Sequence, residues 1–275
     1  MNENIIRIRN LTKQFGKFTA VNRISFNIKR GEILGFLGPN GAGKTTTIKM
    51  INGLLKKSAG EILVKDLDAD THRKELKKIM GYMSQKFSLY PLLNSLENIE
   101  FFGGISGLPK KVIKEKQALI RETVDPAVLK LKSADIPPGI RQKIALFVCL
   151  MTDPEIIFLD EPTSGVDPEV RRNFWSEIYS LKQQGKTILV STHNLDEVEY
   201  ADRLLIIHKG NLIVEGEPEA LLKLHRKESV ETLFKDAILK YEEEDASGGQ
   251  GAFLKNLMGS PRRGALDPYK TSDKV

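Results

Sequence analysis

Cysteine is almost missing from this chain of 275 residues: Cys149 stands alone, which excludes a disulfide framework and any cysteine-based zinc cluster. Long apolar runs are missing as well. Stretches such as Ile144 to Met151 are the longest, far below the roughly 18 residues that a membrane-spanning helix needs. The opening Met1-Asn-Glu-Asn-Ile-Ile-Arg-Ile-Arg9 has no apolar core of signal-peptide length. Neither sign of charge dominates. Lys and Arg number 42 against 36 Asp and Glu, a formal +6 that would tolerate an acidic surface or a polyanionic ligand but selects no partner. No internal repeat is visible. What is present, 40% hydrophobic and 28% charged residues, suits a folded globular chain of one large domain or two small ones. A cytosolic protein is expected, with any membrane role exercised through a partner.

The hydrophobic pattern alternates between strand and helix. Ile24, Phe26 and Ile28 alternate with Ser25, Asn27 and Lys29, the period of a half-buried strand, and Ile5, Ile6 and Ile8 point to another. The apolar run Glu32 to Leu37 precedes a glycine-rich loop and an amphipathic stretch, Thr45 to Leu55, so strand, loop and helix follow in order. Gly60 to Val64 and Ile79 to Met83 read as strands. From about 91 to 150 the text becomes lysine-rich and helical, punctuated by Pro91, Pro109, Pro126 and Pro137-Pro138, as an inserted helical subdomain would be. Strand signals return at Ile156–Leu159, Thr187–Val190 and Leu204–Ile207, with helical text at Pro168–Gln184 and Leu195–Tyr200 between them. Such alternation predicts a parallel sheet covered by helices. Lys209-Gly210-Asn211 reads as a hairpin turn. Ser229 to Tyr241 predicts one more helix, and the Gly/Ser/Pro-rich Ala246 to Val275 predicts a disordered end.

The chemistry is concentrated in two places. Gly38-Pro39-Asn40-Gly41-Ala42-Gly43-Lys44-Thr45-Thr46 fits G-x-x-x-x-G-K-[ST] and lies between a predicted strand and a predicted helix. Glycines let the backbone curl until several N–H groups face one phosphate, and a helix N-terminus adds a favourable dipole. Lys44 then supplies a point charge for the β- and γ-phosphates, and Thr45 a hydroxyl for Mg²⁺. The plain alternative, a glycine-rich turn with a solvated lysine, does not explain the strand and helix on either side. Far downstream, the apolar run Ile156–Leu159 ends in Asp160-Glu161. Neighbours on a strand face opposite ways, so the two carboxylates are expected to take separate roles. Asp160 suits Mg²⁺, directly or through water, and Glu161 suits the orienting and deprotonation of an attacking water. Alone, the pair would pass for a solvated strand end; the phosphate loop upstream reverses that preference.

These two motifs, followed by Pro162-Thr163, Ser164-Gly165-Val166-Asp167-Pro168 and Ser191-Thr-His193, resemble the ATP-binding subunit of an ABC transporter over about residues 5 to 225, roughly four-fifths of the chain. The resemblance implies an α/β P-loop NTPase with a mostly parallel core sheet, an N-terminal antiparallel β subdomain and the inserted helical subdomain. Residues 1–225 would form this domain and 226–275 a C-terminal extension. It further implies that Phe15 stacks on adenine, that Gln85 lies on a loop sensing the γ-phosphate and the metal and touching the membrane partner, and that His193 contacts the γ-phosphate. Asp167 would lie in the loop crossing between two nucleotide-binding subunits. A phenylalanine is more often core, a loop glutamine more often surface and a histidine after a strand more often structural. Their order along the chain, not any one of them, carries the likeness.

One motif departs from the family. Where Leu-Ser-Gly-Gly-Gln is expected, the chain has Ile136-Pro137-Pro138-Gly139-Ile140, with Arg141-Gln142-Lys143 downstream as expected. In the family the serine and nearby N–H groups cap the γ-phosphate held by the opposite subunit. Proline offers neither a hydroxyl nor an N–H, although it suits a first helical turn, and Gly139 would still permit close approach. Losing one hydrogen bond to a charged group costs roughly 1.5–3 kcal/mol, so two copies of this chain should build weakened sites.

The implied function is an ATP-hydrolysing subunit, using ATP and Mg²⁺, that drives a separate integral membrane permease from the inner face of the membrane. The second ATP-binding subunit would be a copy of this chain or a different one. Phe87–Ser95 and Asn98–Leu108 resemble exporters more than importers. The competing reading is a nucleotide-gated interaction module with little turnover, against which Glu161 and His193 speak. A DNA-maintenance ATPase would need a long heptad-bearing insertion between the two nucleotide motifs, and tandem-cassette translation factors carry two phosphate loops; no nucleic acid partner is expected.

Overall fold

The computed structural model describes residues 3–85 and 89–247. The expected disorder of the tail therefore lies, for 248–275, outside the described residues, as do Phe87 and Ser88 of the exporter-like stretch.

Two sheets share one core. β1 (Asn4–Phe15) and β2 (Phe18–Lys29) form a hairpin, and β4 (Ala59–Val64) and β5 (Leu67–Asp68) complete an antiparallel sheet in the order β2-β1-β4-β5. The second sheet holds β3 (Ile33–Leu37), β6 (Met80–Met83), β7 (Ile156–Asp160), β8 (Thr187–Thr192), β9 (Arg203–His208) and β10 (Asn211–Gly216) in the order β10-β9-β3-β8-β7-β6. Its pairs are parallel except for the β9–β10 hairpin. β3, β7 and β8 are buried along their whole length, which explains why they read as continuous apolar runs while β2 alternates. The antiparallel N-terminal sheet and mostly parallel core sheet are those the resemblance implied.

The helices distribute over both faces. α1 (Lys44–Ile51) follows β3 and sits between the sheets, where Ile48 and Ile51 join Ile6, Phe26, Phe36 and Phe158 in one cluster. α2 (Arg73–Leu76) is a single turn. On the opposite face lie α3 (Ser95–Ile105), α4 (Lys110–Thr123), α5 (Pro126–Leu129), α6 (Pro138–Leu150) and α7 (Pro168–Gln183). Ile99, Ile113, Ile144 and Trp175 from these helices pack with Ile157, Leu159 and Val190 of the sheet. The helical insertion thus shares its core with the sheet. α8 (Leu195–Val198), α9 (Pro218–His225) and α10 (Val230–Ala246) close the far end around Leu204, Ile206 and Ile213. α10 runs five residues past the predicted end at Tyr241, and a capping box of Ser229 and Thr232 starts it.

Arg203, at the head of β9, ties its strand to β2, to β10 and to the residue that precedes β3. Its guanidinium pairs with Glu32 at 2.7 Å, and it also meets Glu215 of β10 and the carbonyl of Asn27 in β2. Replacing Arg203 by Met leaves Glu32 buried without its cation, so urea unfolding of the variant is expected to show a loss of about 3 kcal/mol; an unchanged midpoint would contradict this role.

Candidate active site

The glycine-rich loop owes its shape to its neighbours. A Cβ on Gly38 would lie 2.4 Å from the carbonyl oxygen of Ile207, and one on Gly43 would lie 2.6 Å from that of Ala20. Gly43, at φ 109°, occupies the N-cap position of α1, and no side chain caps the helix. The first-turn N–H groups therefore face outward unclaimed by a cap, a cradle for an anion. Asn40 and Gly41 are the exposed tip, whereas Pro39 lends its carbonyl to Lys44. Thr46 is half-buried.

Lys44 is 4% exposed. Its Nζ donates to the carbonyls of Gly38 at 2.6 Å and Pro39 at 3.1 Å and lies 3.2 Å from Glu161 Oε1. Burial pulls its pKa below the ordinary lysine value, and the attraction of Glu161, then Asp160, works against that pull. The Thr45 hydroxyl donates to Asp160 Oδ1 at 3.0 Å. Asp160 also accepts from Ser191 Oγ at 2.6 Å and from the Tyr82 hydroxyl at 3.3 Å. Burial, and then Asp160, raise the pKa of Tyr82, so its phenol stays a donor.

Glu161 gathers the rest. Its Oε2 accepts from Gln85 Nε2 at 2.7 Å and lies 3.1 Å from His193 Nδ1. Gln85 thus reaches Glu161 rather than the Thr45–Asp160 pair. The expectation that Asp160 and Glu161 face opposite ways needs correcting on physical grounds. β7 ends at Asp160, and Glu161 takes φ 50° in the left-handed region, so strand alternation stops one residue too early to separate them. Both carboxylates face the phosphate loop. Bonds from the Glu161 N–H to the Ser191 carbonyl at 3.0 Å and to Ser191 Oγ at 3.1 Å hold the turn.

Other predicted residues stand apart from this cluster. Phe15 is 48% exposed, with Lys13 Nζ 4.8 Å from its ring centroid. Asp167 is exposed at the N-cap of α7. Pro137 and Pro138 form the N-cap and first residue of α6 and are exposed. The close approach at Gly139 is made inside the chain: a Cβ there would lie 2.9 Å from Val170 of α7. A cleft of about 400 Å³ separates Gln85 and Glu161 from Pro138 and Arg141.

Three residues join the site that the sequence motifs do not single out. Ser191 belongs to a quoted motif, but its role follows from the β7–β8 register, which pairs it with Asp160. Tyr82 enters through β6, paired in parallel with β7. Glu197, 1% exposed, accepts from Thr163 and lies 3.2 Å from Arg171 Nε, bracing the segment after Glu161 against α8.

The donor set fits a hard cation and a polyphosphate. Thr45 and Asp160 offer oxygen ligands side by side, and the uncapped helix start and Lys44 offer positive potential. Among the described residues no cluster of three His, Cys, Asp or Glu could hold a metal by itself.

Comparison with known proteins gives a consistent picture. Residues 21–164 match the ABC transporter family. The chain is 44% identical over 220 residues to the probable multidrug ABC transporter ATP-binding protein YbhF of Escherichia coli, covering 80% of this chain but only 38% of that protein's length. It is 37% identical over 223 residues to the Nod factor export ATP-binding protein I of Burkholderia lata, covering 79% and 72%. Among solved structures, an ATP-binding subunit of an ABC transporter superposes with a TM-score of 0.74 at 25% identity, covering 85% of this chain and 99% of the other. A dimeric bacterial ABC transporter cassette gives 0.69 at 27% identity, covering 77% and 98%. The fold is that of the ABC-type P-loop ATPases.

Ser191→Ala removes a donor from Asp160 and an acceptor from the buried Glu161 N–H. Denaturant unfolding is expected to show a loss of about 1–3 kcal/mol, and a variant as stable as the parent would remove Ser191 from the site's framework.

Proposed function

The chain belongs to the ABC transporter family, and from that membership we propose that it is an ATP-binding and ATP-hydrolysing subunit that drives a separate membrane permease, as an exporter. The observation that carries this reading is the convergence of Lys44, Gln85 and His193 on Glu161, beside the Thr45–Asp160 pair. Lys44 and the N–H groups opening α1 bind the phosphates, with Phe15 as the exposed ring for adenine. Thr45 and Asp160 hold Mg²⁺, which when bound neutralises phosphate oxygens, and Ser191 and Tyr82 keep the Asp160 carboxylate aimed. Glu161 takes the proton of a water as that oxygen bonds to the terminal phosphorus and the bridging P–O bond breaks. Gln85 and His193 hold Glu161 in readiness.

Partners follow from what the chain leaves exposed. Among the described residues no helix is long and apolar enough to cross a membrane; in the proposed arrangement the permease is a separate protein and this subunit sits at its inner face. An aromatic knot near Gln85 supports a docking face. Tyr90 meets Phe101 at 4.6 Å between ring centroids, both are exposed, and Leu92 beside them is 75% exposed. Asp167 and the start of α6 point into solvent, as surfaces meeting a second ATP-binding subunit would. Pro137 and Pro138 can give no hydroxyl or N–H to the opposite nucleotide. A partner subunit with an intact serine motif would therefore leave one competent site of two, and the intact one is built on this chain's own Lys44 and Glu161.

Glu161→Gln is expected to lower ATP hydrolysis by about 100-fold or more while ATP still binds, and Lys44→Ala to weaken binding as well; unchanged phosphate release in both would end the ATPase reading. Pro137→Ser with Pro138→Gly is expected to raise turnover of a homodimer by about tenfold, measured by phosphate release, and no gain would refute the weakened-site account. Tyr90→Ala with Phe101→Ala should reduce copurification of a co-expressed permease without changing ATP affinity.

A further inference from the structure

The nucleotide site makes no use of α10, yet α10 is linked to the phosphate loop through one hairpin. Val230, Leu233 and Ala237 seat the helix on Ile206 and Ile213. That leaves Tyr241, Glu242 and Asp245 beside the tip of the β9–β10 hairpin. Glu242 Oε1 lies 3.2 Å from His208 Nε2 and 3.4 Å from Lys209 Nζ, and Asp245 lies 3.9 Å from the same ammonium. Asn211 Nδ2 donates to the Tyr241 hydroxyl at 2.7 Å, and the Tyr241 ring stands edge-on to His208 at 5.6 Å. His208 is buried and, among the described residues, its Nδ1 has no partner, so the side-chain hydrogen bond of its ring runs to α10 through Nε2.

The same tip holds the loop. The Gly210 N–H donates to the Ala42 carbonyl at 3.0 Å, and the Asn22 N–H donates to the Gly210 carbonyl at 2.8 Å. Asn22 Nδ2 donates to Asn211 Oδ1 at 3.0 Å. Ala42 immediately precedes the glycine that opens α1, and Ile207, one residue before His208, presses on Gly38 and Gly43. The tip also carries strain. Lys209 takes φ 46° and Gly210 φ 78°, a left-handed conformation that disfavours lysine, and the Lys209 side chain ends between two acids of α10. Helix, hairpin tip and phosphate loop therefore form one continuous set of polar contacts.

We infer that Tyr241 and Glu242 are positioning residues for the phosphate loop: they hold the Lys209–Gly210 turn against Ala42, and α10 thereby sets the affinity of the chain for a nucleoside triphosphate. The inference rests on the nucleotide reading of Lys44, so the experiment includes a variant that tests that reading alone. ATP binding to the full chain is measured by calorimetry, and ATP turnover by phosphate release, for the parent, Y241F, E242A, E242Q and K44A. Y241F and E242A are expected to weaken ATP binding and raise KM by about five- to tenfold while kcat at saturating ATP stays within about twofold. E242Q keeps an acceptor for His208 and should bind within about twofold of the parent. Unchanged affinity in Y241F and E242A, with binding lost in K44A, overturns the inference and leaves the nucleotide reading standing. A joint fall of kcat, affinity and thermal midpoint assigns α10 a merely structural part and also overturns it. If the parent binds no ATP, the nucleotide reading fails and takes the inference with it.

Discussion

A lysine that is 4% exposed needs its charge answered within the protein, and much of the site's arrangement follows from how this is done. Lys44 is surrounded by two loop carbonyls and one oxygen of Glu161. The carbonyls require the loop to curl tightly over the ammonium, hence glycines where a Cβ would strike Ile207 or Ala20. The carboxylate requires the chain to turn sharply after β7, hence a left-handed residue directly after Asp160. Neither device works alone. A buried ammonium facing only neutral dipoles would favour losing its proton, and Glu161 without the cation would be a buried, uncompensated anion.

That mutual dependence extends outward. Once Glu161 is turned toward the loop, its second oxygen faces Gln85 from the end of β6 and His193 from the end of β8. These reach it because β6, β7 and β8 are parallel neighbours whose carboxyl ends share one edge. The sheet order thus brings distant stretches of sequence to one carboxylate. Ser191 couples the two acids, donating to one and accepting from the backbone of the other, so a shift at either carboxylate is felt by both.

Much of this is legible in the sequence alone. The apolar runs within Glu32–Leu37 and Ile156–Leu159 fall in the strands β3 and β7 because both faces of those strands are covered, and a fully buried strand has no alternation to hide. The loop around Lys44 is legible because its glycines, lysine and threonine stand at fixed spacing within nine consecutive residues. What escaped depends on neighbours distant in sequence. Ser191 and Tyr82 touch Asp160 through strand register, which no single segment encodes. The facing of Glu161 departs from strand alternation because β7 ends one residue before it, at Asp160. The link from α10 to Ala42 was invisible for a similar reason: it passes through a hairpin tip whose two residues look like any surface turn.

Gly139 has a consequence of its own. Standing directly after two prolines, this glycine invites the view that contact with a nucleotide across a dimer requires it. Yet its missing side chain is what lets α6 lie against Val170, and any larger residue would wedge the two helices apart. The requirement is one of carpentry inside a single subunit. The packing of α6 on α7 asks for glycine at this position whether or not an opposite site ever fires, so its presence carries no vote on that question.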